Sequence, residues 1–146
     1  MIGIVVVSHG PLAQGLIGAA EMIVGMQTNL RAVSMGPAAD MDHLRSDIES
    51  AVQAVGGANN ALVLVDLLGG SPSNASAYLA AAGTPVICGV NLPMLLELLM
   101  AREASTPSAL ADHALQAGRD NIIDLGQRLA VAAGEGLSRD RQPRSG

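Results

Sequence analysis

The chain has 146 residues, enough for one ordinary domain with its own core. Its formal charge is −5 with no lysine, which excludes a polyanion-binding surface, because nucleic-acid affinity depends on clustered Lys and Arg. Apolar residues make up 49% with one tyrosine and no tryptophan or phenylalanine, so the core has to be packed from Ala, Val, Leu, Ile and Met. A single cysteine, Cys88, cannot form an internal disulfide, and within its apolar segment it reads as a small buried hydrophobe. The start of the chain lacks a basic leader, and no apolar run approaches the roughly 18–20 residues that span a bilayer. A cytoplasmic protein without membrane insertion is expected.

In chain order, Ile2–Val7 is a run of mostly β-branched apolar residues that stops at Ser8-His9-Gly10. Such a run reads as a strand buried on both faces, the habit of parallel sheets. After Gly10-Pro11, Leu12, Leu16, Ile17, Ala20, Ile23 and Val24 recur at helical spacing up to Gly25. Leu30–Met35 reads as a second strand. Asp40 is placed to cap a helix whose stripe is Met41, Leu44, Ile48, Ala51, Val52 and Val55. Gly56-Gly57 and Asn59-Asn60 end it, and Ala61–Val65 is a third strand closing on Asp66. The turn Leu67–Pro72 leads into a helix over Asn74–Ala82, with Ser71 expected as N-cap and Pro72 as first helical residue. Pro85–Gly89 reads as a fourth strand. The helix Met94–Ala101 is apolar nearly all round, which suits core or a dimer contact. A last helix follows Thr106-Pro107. His43 and His113 read as solvated residues, and 131–146 as a polar, disordered tail beyond a domain of residues 1–130.

Alternating strands and helices imply an α/β fold with a mainly parallel, doubly wound sheet and helices on both faces. With strand order 2-1-3-4, the short form of the flavodoxin-like winding, strands one and three are neighbours about 4.8 Å apart. His9 and Asp66 then meet at the carboxyl edge of the sheet. A carboxylate that binds one ring N–H fixes the imidazole tautomer and leaves the other nitrogen's lone pair free as a nucleophile. Ser8, Ser71, the N–H groups of Gly69 and Gly70, and the start of the next helix supply parts that suit a phosphate. An oriented histidine facing such a cradle points to phosphoryl transfer through a phosphohistidine, with no metal. A Ser71-His9-Asp66 hydrolase and a chelatase-like metal site are the competing chemistries. Ser73 occupies the place of the last glycine of a nucleophile elbow, and no second strand-end His or Glu is present for a metal.

The segments IVVVSHGPLAQGL (Ile4–Leu16), AAEMIVG (Ala19–Gly25), LVLVDLLGGSPSNA (Leu62–Ala75) and GVNLPMLLELLMAR (Gly89–Arg102) together resemble the enzyme IIA component of the mannose-type family of the phosphoenolpyruvate-dependent sugar phosphotransferase system. The resemblance implies a flavodoxin-like fold and a homodimer. It also implies a histidine, here His9, that takes phosphate from the histidine phosphocarrier protein and passes it to an enzyme IIB. The orienting aspartate maps to Asp66 and the serine of the GGSP motif to Ser71. Ser8 stands where many relatives carry threonine. The acceptor IIB is expected on a separate chain. No cofactor is implied, the phosphate coming ultimately from phosphoenolpyruvate. A regulatory phosphorylation module without a transport partner and the phosphotransfer subunit of dihydroxyacetone kinase are the alternative roles.

Overall fold

A computed structural model describes residues 1–137. Its elements are β1 (Gly3–His9), α1 (Leu12–Val24), β2 (Leu30–Met35), α2 (Met41–Ala54), β3 (Ala61–Val65), α3 (Ser71–Ala81), β4 (Val86–Cys88), α4 (Leu92–Ala101), α5 (Pro107–Asp120) and α6 (Leu125–Leu137). The four strands form one sheet of order β2-β1-β3-β4. Every pairing is parallel. The expected α/β class and strand order are therefore present.

Side-chain alternation along β1 builds the core on both faces of the sheet. Ile4 and Val6, with Leu62 and Leu64 of β3, pack under Ala13 and Ala20 of α1, Leu95 and Leu98 of α4, and Leu110 of α5. Val5 and Val7, with Val63 and Val65, face Leu44, Ile48 and Val52 of α2 and Ala75 and Leu79 of α3. Each fully buried Ile or Val contributes about 1.5–3 kcal/mol, which makes β1 the best-anchored segment of the chain. Gly3 opens that strand because a Cβ there would overlap the Val55 carbonyl and side chain at the end of α2.

The helix ends follow the expected chemistry at most places. Asp40 caps α2 by accepting from His43 N–H (2.7 Å), Asn91 caps α4 through Met94 N–H (3.0 Å), and Thr106 caps α5 through Ala109 N–H (3.2 Å). The exception is α3. It begins at Ser71, with Gly70 as N-cap and no side-chain cap, so Ser71 is the first helical residue and Pro72 the second. The extended φ/ψ of Gly70 (−84°, 173°) moves the helix start one residue earlier than expected.

The carboxyl end of the chain also differs. Helix α6 was not among the expected elements and runs across the boundary expected after residue 130. Residues 125–133 are all exposed, including Leu125, Leu129 and Val131. Gly126, Gly134 and Gly136 interrupt its pattern and lower its helix propensity. The rest of the expected disordered tail, residues 138–146, lies outside the described residues. Among the described residues no helix is long and apolar enough to cross a membrane.

Candidate functional site

The site is built where β1 and β3 leave the sheet. Val7 pairs with Val65, and Asp66 N–H donates to the Val7 carbonyl (3.1 Å), so Asp66 stands beside the end of β1. Gly10, at φ 52°, then turns the chain sharply, a left-handed conformation that favours glycine. Its N–H is held by the Met35 carbonyl at the end of β2 (2.9 Å). Three neighbouring strands thereby fix the backbone on both sides of His9.

Asp66 grips His9 twice. Its Oδ2 accepts from the His9 main-chain N–H (3.0 Å) and pairs with ring Nδ1 (2.8 Å). An ionised carboxylate only accepts, so Nδ1 carries the proton and Nε2 keeps its lone pair in the neutral ring. The carboxylate side chain is 10% exposed and the imidazole 43%, which leaves a shielded anchor beneath an accessible nitrogen. The other carboxylate oxygen, Oδ1, is buried without a hydrogen-bond partner. The Asp66 charge is therefore directed at His9.

The expected phosphate-side residues divide into two groups. Gly70 lies against the ring: a Cβ built on it would stand 2.7 Å from His9 Cε1 and 3.1 Å from Nε2. Gly69, at φ 89°, makes the bend that brings it there, and Ser71 opens α3 next to it. The uncapped first turn of α3 is thus close to Nε2, with its main-chain N–H groups unsatisfied by any side chain of the cap. Ser8 does not join them. It is fully buried, accepts from Ala13 N–H (2.7 Å) and donates to the Gly10 carbonyl (3.3 Å). Alternation explains the placement: Ser8 continues the face of Ile4 and Val6 toward α1, whereas His9 continues the face of Val5 and Val7 toward α3. Ser8 fastens the turn that carries His9.

Two features of the surroundings were not anticipated. Leu12, Leu67 and Leu68, flanking His9 and Asp66 in sequence, are exposed. The connections at this edge, residues 10–11, 36–40, 66–70 and 89–91, carry no Arg or Lys, and their only charged residues are Asp40 and Asp66. The depressions next to β4 and between α4 and α5, about 200 and 250 Å³, are lined by neither His9 nor Asp66. His9 therefore stands on open, partly apolar surface. Of the remaining residues singled out from sequence, His43 is exposed as expected, Cys88 is half-buried near Ser73 (3.7 Å), and His113 is held by Glu97 across α4 and α5 (2.7 Å). Among the described residues no group of three or more His, Cys, Asp and Glu could hold a metal ion.

A family model, EIIA-man, described as the fructose IIA component of the phosphotransferase system, matches residues 3–115, the region that contains the whole site. The chain belongs to the EIIA-man family. Among its EIIA relatives, the mannose-specific EIIAB component of Escherichia coli (strain K12) is 35% identical over 125 residues, 83% of this chain and 38% of that protein. The chain thus spans well under half the length of that relative. The sorbose-specific EIIA component of Lacticaseibacillus casei is 30% identical over 134 residues, 90% of this chain and 96% of that one. Among solved EIIA structures, the phosphotransferase system component from Streptococcus agalactiae superposes with TM-score 0.79 at 29% identity, covering 86% of this chain and 98% of that one. The EIIA fold is accordingly shared over nearly all of the compact part of the chain.

Proposed function

We propose that this EIIA component is a phosphoryl carrier in which His9 Nε2 accepts the group from a histidine phosphocarrier protein and passes it to an enzyme IIB. The observation that carries the reading is the 2.8 Å pairing of Nδ1 with a shielded carboxylate, which leaves Nε2 as the accessible nucleophile. In the forward step the donor's N–P bond breaks as the His9 Nε2–P bond forms, roughly in line. The donor ring leaves with the electron pair of the broken bond. The proton on Nδ1 stays where it is. The positive charge that develops on the His9 ring is balanced by Asp66, and the phosphoryl oxygens are met by Ser71 and by the main-chain N–H groups of Gly69, Gly70 and the first turn of α3. Ser8 contributes by fastening the Gly10–Ala13 turn.

The open, apolar surroundings of His9 support a protein as phosphate donor and acceptor in preference to an enclosed small substrate. The reaction is set in the cytoplasm. A homodimer accords with the exposed Met22, Ile23 and Met26 on and just after α1 and Met100 on α4, and sedimentation equilibrium should return twice the chain mass. A single chain mass at all concentrations would remove the dimer.

The carrier role is tested by incubating the protein with phosphoenolpyruvate, enzyme I and the phosphocarrier protein. One equivalent of acid-labile, base-stable phosphate is expected on the native chain and none on His9→Ala. Equal labelling of His9→Ala would refute the assignment.

A further inference from the structure

Gly70 has no conformational reason to be glycine. Its φ and ψ of −84° and 173° are ordinary extended values, which alanine adopts freely, in contrast to the neighbouring Gly69 at φ 89°. What a side chain would meet there is the imidazole itself: the added Cβ falls 2.7 Å from His9 Cε1 and 3.1 Å from Nε2. The ring cannot give way without consequence, because Nδ1, the ring atom bonded to Cε1, is held by Asp66 (2.8 Å). The glycine and the carboxylate therefore fix adjoining atoms of the ring. On the open side the ring is 43% exposed, so a displaced imidazole has solvent to swing into.

We infer that Gly70 is a positioning residue, whose missing Cβ lets the His9 ring lie between Asp66 and the start of α3 with Nε2 aimed along that helix start. The inference rests on the carrier reading for its catalytic consequence, but the packing it describes is independent of that reading. It also separates two roles for the same residue. If Gly70 served only through its main-chain N–H, alanine would do equally well, because it keeps that donor and that backbone conformation. Where the missing Cβ matters, alanine pushes the ring outward, breaks the Nδ1 contact with Asp66 and moves Nε2 from its place in the site.

The test compares the native chain, Gly70→Ala, His9→Ala and the double variant. Long-range ¹⁵N–¹H spectra of the His9 ring should show a protonated, hydrogen-bonded Nδ1 in the native protein and a mixed, solvent-exchanging tautomer in Gly70→Ala. Melting should fall by about 2 °C or more on Gly70→Ala when His9 is present, the loss of one charge-assisted hydrogen bond, and stay unchanged in the His9→Ala background, where the ring is gone. Phosphoryl uptake from the phosphocarrier protein should drop at least ten-fold in Gly70→Ala. An unchanged ring signature, an equal melting shift in both backgrounds, or native uptake by a displaced ring would each overturn the inference. Were the native chain to take no phosphate on His9, the carrier reading would fall, and the ring spectra and melting cycle would still decide the packing claim.

Discussion

Asp66→Asn should fold as the native protein does and take up phosphate about a hundred-fold more slowly. The main-chain N–H of His9, fixed as a donor, points at Oδ2 from 3.0 Å and would keep the amide oxygen of an asparagine in that place. Nδ1–H can then still donate to the same oxygen, so the tautomer is largely retained. What disappears is the negative charge beside the ring as phosphorylation makes it cationic, and a charge-assisted bond becomes a neutral one of roughly half the strength. The amide NH₂ would also fall where Oδ1 now lies, buried with no partner. Asp66→Ala removes the oxygen altogether, frees both the ring and the His9 N–H, and should be slower still. Rapid-quench measurement of labelled phosphate from the phosphocarrier protein separates these variants. Native uptake by Asp66→Asn would take the Asp66 charge out of the mechanism.

The largest effect on stability should come from the other end of the strands, at Arg102. This residue is 1% exposed, and among the described residues no carboxylate pairs with it. Its two terminal nitrogens donate instead to oxygens of the chain start and the α1–β2 connection: the Asn29 (3.0 Å) and Ile2 (3.4 Å) carbonyls from Nη1, and the Thr28 carbonyl (2.6 Å) and Gln27 Oε1 (3.0 Å) from Nη2, while Nε is buried without a partner. Burial pushes its pKa down, and the nearby Glu103 opposes that. Replacing a buried ion by an apolar side chain is sometimes neutral, because the desolvation cost disappears with the charge. Here the partners are mostly main-chain carbonyls that a substitution cannot remove, so Arg102→Met would take a donor from each, although the Asn29 carbonyl keeps the Ile4 N–H (3.0 Å). A loss of about 3 kcal/mol follows, or a melting temperature lower by roughly 10 °C for a domain of this size. Arg102→Lys retains charge but not the fork of donors, and should fall between. Phosphate uptake by the folded fraction should be unaffected. Thermal and urea unfolding decide it, and a melting shift within about 2 °C for Arg102→Met would show that those carbonyls find other partners.

Much of the fold was legible because its two central strands are buried on both faces. The runs Ile4–Val7 and Ala61–Val65 have no polar residue to make them ambiguous, and each is followed within two residues by a residue that forms the site. His9 and Asp66 could be paired from strand order alone, since parallel neighbours bring their carboxyl ends together. Ser8 and Ser71 were less readable. Alternation assigns Ser8 to the α1 face only once the strand is known to continue through it, and Ser71 loses its cap position when the helix begins one residue early. Arg102 closes an apolar helix and carries no sequence signal for burial, because its acceptors are mostly main-chain carbonyls from distant segments. Gly70 was readable as a main-chain donor of the turn before the helix, but not as a neighbour of the His9 ring. Its contact with the ring depends on a tertiary approach that spacing does not encode.

The nitrogen that carries the phosphate tests the central claim most directly. The protein, labelled with ¹⁵N at histidine, phosphorylated through the phosphocarrier chain and observed by ³¹P and ¹⁵N NMR, should show a single phosphohistidine at His9. Its phosphorus should be bonded to Nε2, with Nδ1 still protonated toward Asp66. Phosphorus on Nδ1, or on any residue other than His9, would contradict the account.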